Sequence, residues 1–219
     1  MIPIRDVIPS RTTPWITIGL LAASLVTFLA TAFRPAPDLD LLFFTHGLVP
    51  AAFSWSSVLT SAFLHTGWLH LVSNLIVLWL FGATLEDRMG HVRFLAFYAL
   101  AAALAAAVQT WAAPDMLTPI VGASGAVAGV MGAYFVLFPT SRVLVLVSLI
   151  IWTDVIEVPA LFFLGLWFVL QVLSGLGYVP IQAIGGLAFW SHAGGFVAGI
   201  AAVWLFRRRE RLDVAWWNG

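Results

Sequence analysis

The 219-residue chain contains no cysteine, which excludes disulfides and thiolate-held metals and leaves redox compartment unspecified. It contains no lysine either, so all ten basic residues are arginines, and they are scattered too thinly to form a nucleic-acid footprint. Charged residues of both signs make up only 9% of the chain. That is too few to cover the surface of a water-soluble domain of this size. What fills the chain instead is apolar. Hydrophobic residues reach 62% and mean hydropathy is +1.01, which makes this an integral, multi-pass membrane protein. No polar stretch is long enough to house a second domain, so residues 1–219 read as one membrane domain.

Apolar runs set the expected spans at about 15–33, 66–84, 94–111, 121–138, 158–175 and 186–206. The first exceeds the length of a signal-peptide core and is expected to be retained, despite Ala30-Thr31-Ala32 at its end. Residues 34–64 contain Pro35, Pro37 and Pro50 among apolar pieces too short to cross, and are expected to form an embedded or interfacial loop. Val143 to Trp152 is also too short, and Asp154, Glu157 and Pro159 interrupt it, so it is expected to lie at the interface. The fold class is thus an all-α, six-helix bundle with both termini cytoplasmic. That orientation leaves nine arginines inside and only Arg34 outside, and a seventh crossing would spoil the asymmetry.

The polar residues inside the spans fall into a pattern. Spans two, four and six run in the same direction, so their first residues share one leaflet. His70 and Asn74 lie early in the second, Ser124 early in the fourth and His192 early in the sixth. All four come within roughly 12 Å of the outer ends of their helices, from the ~1.5 Å rise per residue. Polar side chains at that depth are costly, and three helices contributing them at one level point to a site. Gly125 and Gly129, like Gly195 and Gly199, are spaced for close helix approach, and the second pair shares the face of His192. An imidazole brought to a hydroxyl in this way is the arrangement of a general base and a serine nucleophile. His70, Asn74 and the backbone N–H groups around Gly122 would then hold an oxyanion at the electropositive start of the fourth helix.

Taken singly, each residue has a plain structural explanation. Ser124 could be helix packing, His192 and Asn74 interhelical hydrogen bonding, His65 a loop anchor, and Glu86 with Arg88 an ion pair at a helix end. His46 and His91 lie in connections and read as solvated or interfacial. A zinc site is the rival use of the histidines, but the chain has no HExxH and no carboxylate close to His65, His70 or His192. A transporter is another, but the polar groups stop at one leaflet and no inverted repeat is evident. The dyad explains all four positions together.

At this point the chain resembles the rhomboid intramembrane serine proteases, in their six-helix bacterial form. The segments that match are Gly122-Ala123-Ser124-Gly125, His65-x4-His70-x3-Asn74, Glu86-Asp87-Arg88-Met89-Gly90 and Ser191-His192-Ala193-Gly194-Gly195-Phe196-Val197-Ala198-Gly199. Phe138-Pro139, Arg142-Val143 and Pro159 to Gly165 match as well, so the likeness covers nearly the whole chain. The resemblance implies Ser124 as nucleophile, His192 as base without a carboxylate partner, and His70 and Asn74 in the oxyanion hole. His65, Glu86, Arg88, Gly125, Gly129, Gly195 and Gly199 would be structural supports. It implies single-span membrane proteins as substrates, cut near the outer leaflet and admitted past span five and a cap at 176–186. It also implies a lipid setting in a bacterial inner membrane, with no metal, no cofactor and no obligate protein partner. A catalytically dead relative serving membrane-protein trafficking is the alternative. There are two departures from the pattern. Ser56 and Ser57 stand where many members carry Trp-Arg, and Ala128 stands where many carry an aromatic ring stacked on the catalytic imidazole. Trp190 or a backbone carbonyl is expected to orient His192 instead.

Overall fold

A computed structural model describes residues 2–6, 8, 11–149, 152–179 and 188–208. Strand β1 (Ile2–Asp6) leads into helix α1 (Trp15–Thr31), which Pro14 opens. Two short helices follow, α2 (Ala36–His46) and α3 (Trp55–Ser61). The apolar pieces of 34–64 are therefore helical without being long enough to cross. Ser54 caps α3 by accepting the Ser57 N–H at 3.1 Å, and Thr60 Oγ1 donates to the His46 carbonyl at 2.6 Å. These hydroxyl contacts hold the segment in which Ser56 and Ser57 replace Trp-Arg.

Helix α4 (Trp68–Val77) continues through a π-helical turn (Leu78–Gly82) into α5 (Ala83–Met89). Helix α6 (His91–Ala112) and helix α7 (Ser124–Leu137) follow. Strands β2 (Arg142–Leu149) and β3 (Trp152–Pro159) lie between α7 and helix α8 (Ala160–Gly175), and α9 (Phe189–Phe206) follows. Among the described residues, three helical stretches are long and apolar enough to cross a membrane, at Trp68–Met89, His91–Ala112 and Phe189–Phe206. Helices α1, α7 and α8 are apolar but shorter. Gly186 and residue 187 of the expected sixth span, and 180–186 of the expected cap, lie outside the described residues.

One expectation is corrected. The all-α class misses a three-stranded antiparallel sheet of order β1-β2-β3, which takes in residues 143–149 and 152 of the segment expected at the interface. The run Val143-Leu144-Val145-Leu146-Val147 is β-branched at alternate positions, and a short apolar run bounded by breakers fits a buried strand as well as a helix. Val143 and Val145 turn into the core, and an Arg142–Glu157 ion pair of 2.7 Å lies on the exposed side.

Helix α7 is the centre of the molecule. Every residue from Gly125 to Tyr134 is buried, and α6, α8, α9 and the π-helical turn all pack against it. A helix apolar all round has no face to offer solvent and belongs inside. The outer surface carries the large apolar side chains, among them Leu69, Val92, Trp111 and Leu205. An apolar exterior of this extent marks a protein embedded in lipid.

Candidate active site

Ser124 is the first residue of α7, and three contacts fix the chain leading to it. Leu48 and Ile120 exchange backbone hydrogen bonds of 2.8 Å in each direction, and the Gly122 N–H donates to the Ser61 carbonyl at 2.9 Å. Gly122 has φ +122°, a conformation that side chains disfavour, so the turn into the helix requires glycine. Its N–H is therefore occupied by Ser61. Gly122, expected among the oxyanion donors, gives its N–H to Ser61 in this structure, and what it presents beside Ser124 is the space left by its missing side chain.

His192 is the fourth residue of α9 and is buried. The start of that helix is held by Gln109 of α6, whose Oε1 accepts the Ser191 N–H at 2.9 Å. This satisfies one of the N–H groups that a helix start leaves without a partner. The small residues on α7 and α9 do the rest. A β-carbon on Gly195 would collide with the Gly125 carbonyl, and one on Gly199 with the Gly129 carbonyl. The two backbones thus touch, and His192 Nε2 comes to 2.8 Å from Ser124 Oγ.

The other ring nitrogen, Nδ1, lies 2.8 Å from Oε1 of Gln171 on α8. One turn earlier on the same helix, the Trp167 ring lies 5.9 Å from the imidazole at 38°. The orientation of His192 was expected from Trp190 or a carbonyl, and neither supplies it. Trp190 packs against Gly175 instead, and a ring from α8 sits beside the imidazole in place of the one missing at Ala128. Gln171 and Gln109 escaped sequence reasoning because they do not titrate. The signal was present nonetheless, since an amide inside an apolar run is costly and needs a partner.

His70 is the third residue of α4, and its Nδ1 lies 3.1 Å from the Thr66 hydroxyl. A β-carbon on Gly122 would sit 2.6 Å from His70 Nε2 and 3.7 Å from Ser124 Oγ. Imidazole and hydroxyl therefore face one small space beside Gly122. Asn74, buried one turn on, donates an amide N–H to the His70 carbonyl at 2.9 Å. His65 lies just before α4 with its ring 5.1 Å from that of His70, and its Nδ1 lies 3.2 Å from the Phe63 carbonyl. Burial, and secondarily the nearby His70 ring, push the His65 imidazole down to about 4, so it is neutral near pH 7.

Glu86 and Arg88 lie at the far end of the bundle, and the expected ion pair between them is not what forms. The Glu86 carboxylate accepts from the Ile16 and Thr17 N–H groups at 2.9 and 2.7 Å and from the Thr17 hydroxyl at 2.7 Å. It also receives His91 Nδ1, so His91 is tied to it and not simply solvated. Glu86 thereby caps the start of α1, as a carboxylate at an electropositive helix end should. Arg88 lies 3.5 Å from Asp87 and over the Phe138 ring.

This geometry has relatives. A family model, the rhomboid domain, matches residues 52–209. The chain belongs to the rhomboid family. It is 29% identical over 175 residues to Rhomboid protein 1, mitochondrial, of Saccharomyces cerevisiae, covering 73% of this chain and 46% of that protein. It is 30% identical over 200 residues to Rhomboid-like protein 11, chloroplastic, of Arabidopsis thaliana, covering 86% and 64%. Rhomboid protease GluP of Bacillus subtilis is 33% identical over 147 residues, covering 67% and 26%. The chain spans less than two thirds of the length of each of these rhomboid relatives. Within the rhomboid segment, the residues brought together at one end are Ser124, His192, His70 and Asn74 with the unforeseen Gln171 and Trp167. Glu86 and Arg88 are at the other.

Proposed function

We propose that this protein is an intramembrane serine endopeptidase that cuts single-span membrane proteins near the outer leaflet. The observation that carries the reading is the 2.8 Å contact between Ser124 Oγ and His192 Nε2 at the start of two packed apolar helices. In this reading His192 Nε2 takes the Ser124 proton as Oγ forms a bond to the scissile carbonyl carbon. The C–N bond then breaks, with the proton passing from His192 to the leaving amine. Water repeats the sequence in reverse, with His192 again the base, and releases the acyl group. The charge on the carbonyl oxygen would be met by the unpartnered first-turn N–H groups of α7, with its dipole behind them. His70 Nε2 and the Asn74 amide would add side-chain donors, His70 in the tautomer whose Nδ1 accepts from the Thr66 hydroxyl and whose Nε2 carries the proton.

A six-span topology with both termini cytoplasmic belongs to the same proposal. Its support, beyond the arginine asymmetry, is the exposed aromatic side chains near both ends of the bundle. Trp68, Trp111 and Tyr178 are exposed near the Ser124 end, and Trp15 and Trp204 near the other, as in the interfacial belts of membrane proteins. At 14 residues α7 measures about 21 Å against the roughly 30 Å of a hydrocarbon core, which suits a nucleophile recessed below the outer surface. The six-helix form and the Bacillus relative favour a bacterial cytoplasmic membrane as the setting, with lipid around a single domain at 1–219.

The test is labelling of the detergent-solubilised protein with a serine-directed fluorophosphonate, beside Ser124→Ala and His192→Ala. Labelling of the wild type that both substitutions abolish is expected. A folded wild type that does not label overturns the protease reading in favour of an inactive relative, and labelling that survives Ser124→Ala assigns the wrong serine.

A further inference from the structure

We propose that Gln171 is the positioning residue of the dyad, fixing His192 in the tautomer that leaves Nε2 free to accept the serine proton. The inference rests on the protease reading for its consequence, but not for its geometry. Gln171 is buried on α8, and its Oε1 is 2.8 Å from His192 Nδ1. An amide oxygen can only accept, so Nδ1 must carry the proton. A neutral imidazole has one proton, and with it on Nδ1, Nε2 presents a lone pair to the Ser124 hydroxyl 2.8 Å away. The opposite tautomer would set Nε2–H against the hydroxyl, leave Nδ1 and Oε1 as two facing acceptors, and disable the base.

In Ser-His-Asp enzymes a carboxylate holds the equivalent ring position. Here a neutral amide takes that place, which suits a site deep in apolar surroundings. A second buried charge would carry a desolvation penalty that a glutamine avoids. The same face of α8 carries Trp167 one turn away, its ring 5.9 Å from the imidazole. Position 171 therefore governs proton location while 167 limits ring rotation, and both depend on α8 being packed against α9. Gln171 touches neither substrate nor the reacting atoms; it acts through His192.

The experiment compares wild type, Gln171→Leu, Gln171→Met and Gln171→Glu, each first shown by thermal unfolding to be folded. The Met variant keeps side-chain length and covers the case in which Leu does not fold. Time courses with a fluorophosphonate probe separate the maximal inactivation rate from the apparent probe affinity. Leu and Met should lower the maximal rate by about 100- to 1000-fold with affinity unchanged, within the range that general-base catalysis contributes. Glu, which keeps an acceptor at Nδ1, should recover to within about tenfold of wild type. In parallel, nitrogen-15 NMR of histidine-labelled protein in lipid, with His192→Ala to assign the signals, reads the tautomer directly. The wild type should show protonated Nδ1 and bare Nε2, and the Leu variant should shift population to Nε2–H. A wild type carrying its proton on Nε2, an unchanged rate in the Leu and Met variants, or equal losses in Leu, Met and Glu with the tautomer unmoved would each overturn the assignment. A tautomer that moves in a wild-type background that never labels would sink the protease reading and leave the positioning role standing.

Discussion

His70 Nε2 and Gly122 face each other so closely that a β-carbon on the glycine would lie 2.6 Å from the ring nitrogen. Gly122→Ala therefore has two costs. It strains a backbone held at φ +122°, and it drives the imidazole from the space beside Ser124. Strain of this kind is worth about 1–3 kcal/mol. The melting temperature should fall, and fluorophosphonate labelling of the folded fraction should slow by at least about tenfold. Labelling at the wild-type rate would mean His70 is not needed where it stands.

His70→Ala and Asn74→Ala should each retain labelling but slow it by about 10- to 1000-fold, up to the roughly 1000-fold loss that removing one oxyanion donor can cause. The contrast with Ser124→Ala, which should abolish it, separates stabilising groups from the nucleophile. The readout is labelling rate at matched folded concentration, and a null effect in both variants would remove side-chain donors from the mechanism.

Gly199→Ala puts a methyl group against the Gly129 carbonyl and must separate α7 from α9. Overpacking of this sort costs about 1–3 kcal/mol. Because Ser124 and His192 ride on those two helices, the dyad should widen with them. Thermal unfolding should shift down and labelling should slow together. An unchanged rate would show that the α7–α9 contact does not set the dyad distance.

Glu86→Ala separates stability from chemistry. It strips the acceptor from two backbone N–H groups and one hydroxyl at the start of α1. Each abandoned buried donor costs about 1–3 kcal/mol, so the unfolding transition should drop sharply. The labelling rate per folded molecule should stay at the wild-type value, because Glu86 lies at the opposite end of the bundle from Ser124.

The residues legible in the sequence were those whose chemistry is conspicuous in an apolar chain. Ser124 and His192 were found because a hydroxyl and an imidazole at one depth demanded a joint explanation. The glycine spacings at 125/129 and 195/199 then foretold the close approach, because small residues are what let two helix backbones touch, and Gly132 against the Phe196 carbonyl extends the same contact. Gln171 was missed for the complementary reason: it neither titrates nor attacks, so a search for reactive groups passes over it. The sheet was missed because the length of 143–152 and the breakers Asp154, Glu157 and Pro159 after it argue against a crossing, and the same features fit a short buried strand. The partners of Glu86 could not have been read at all. Pairing with Arg88 is local and visible in sequence, whereas capping a helix some seventy residues earlier is a fact of assembly.

Ser124 and His192 are separated by 68 residues, and the helix bearing the base is made after the one bearing the serine. At translation rates of 5–20 residues per second, roughly 3–14 seconds pass between their appearances. Throughout that interval the nascent chain holds the Ser124 hydroxyl without His192, and Trp167 and Gln171, once made, have no His192 ring to orient. On the proposed protease reading, a half-made molecule therefore carries a serine without its base. On that reading the order of the helices in the chain acts as a safety catch, released only once the helix bearing His192 has packed against the one bearing Ser124.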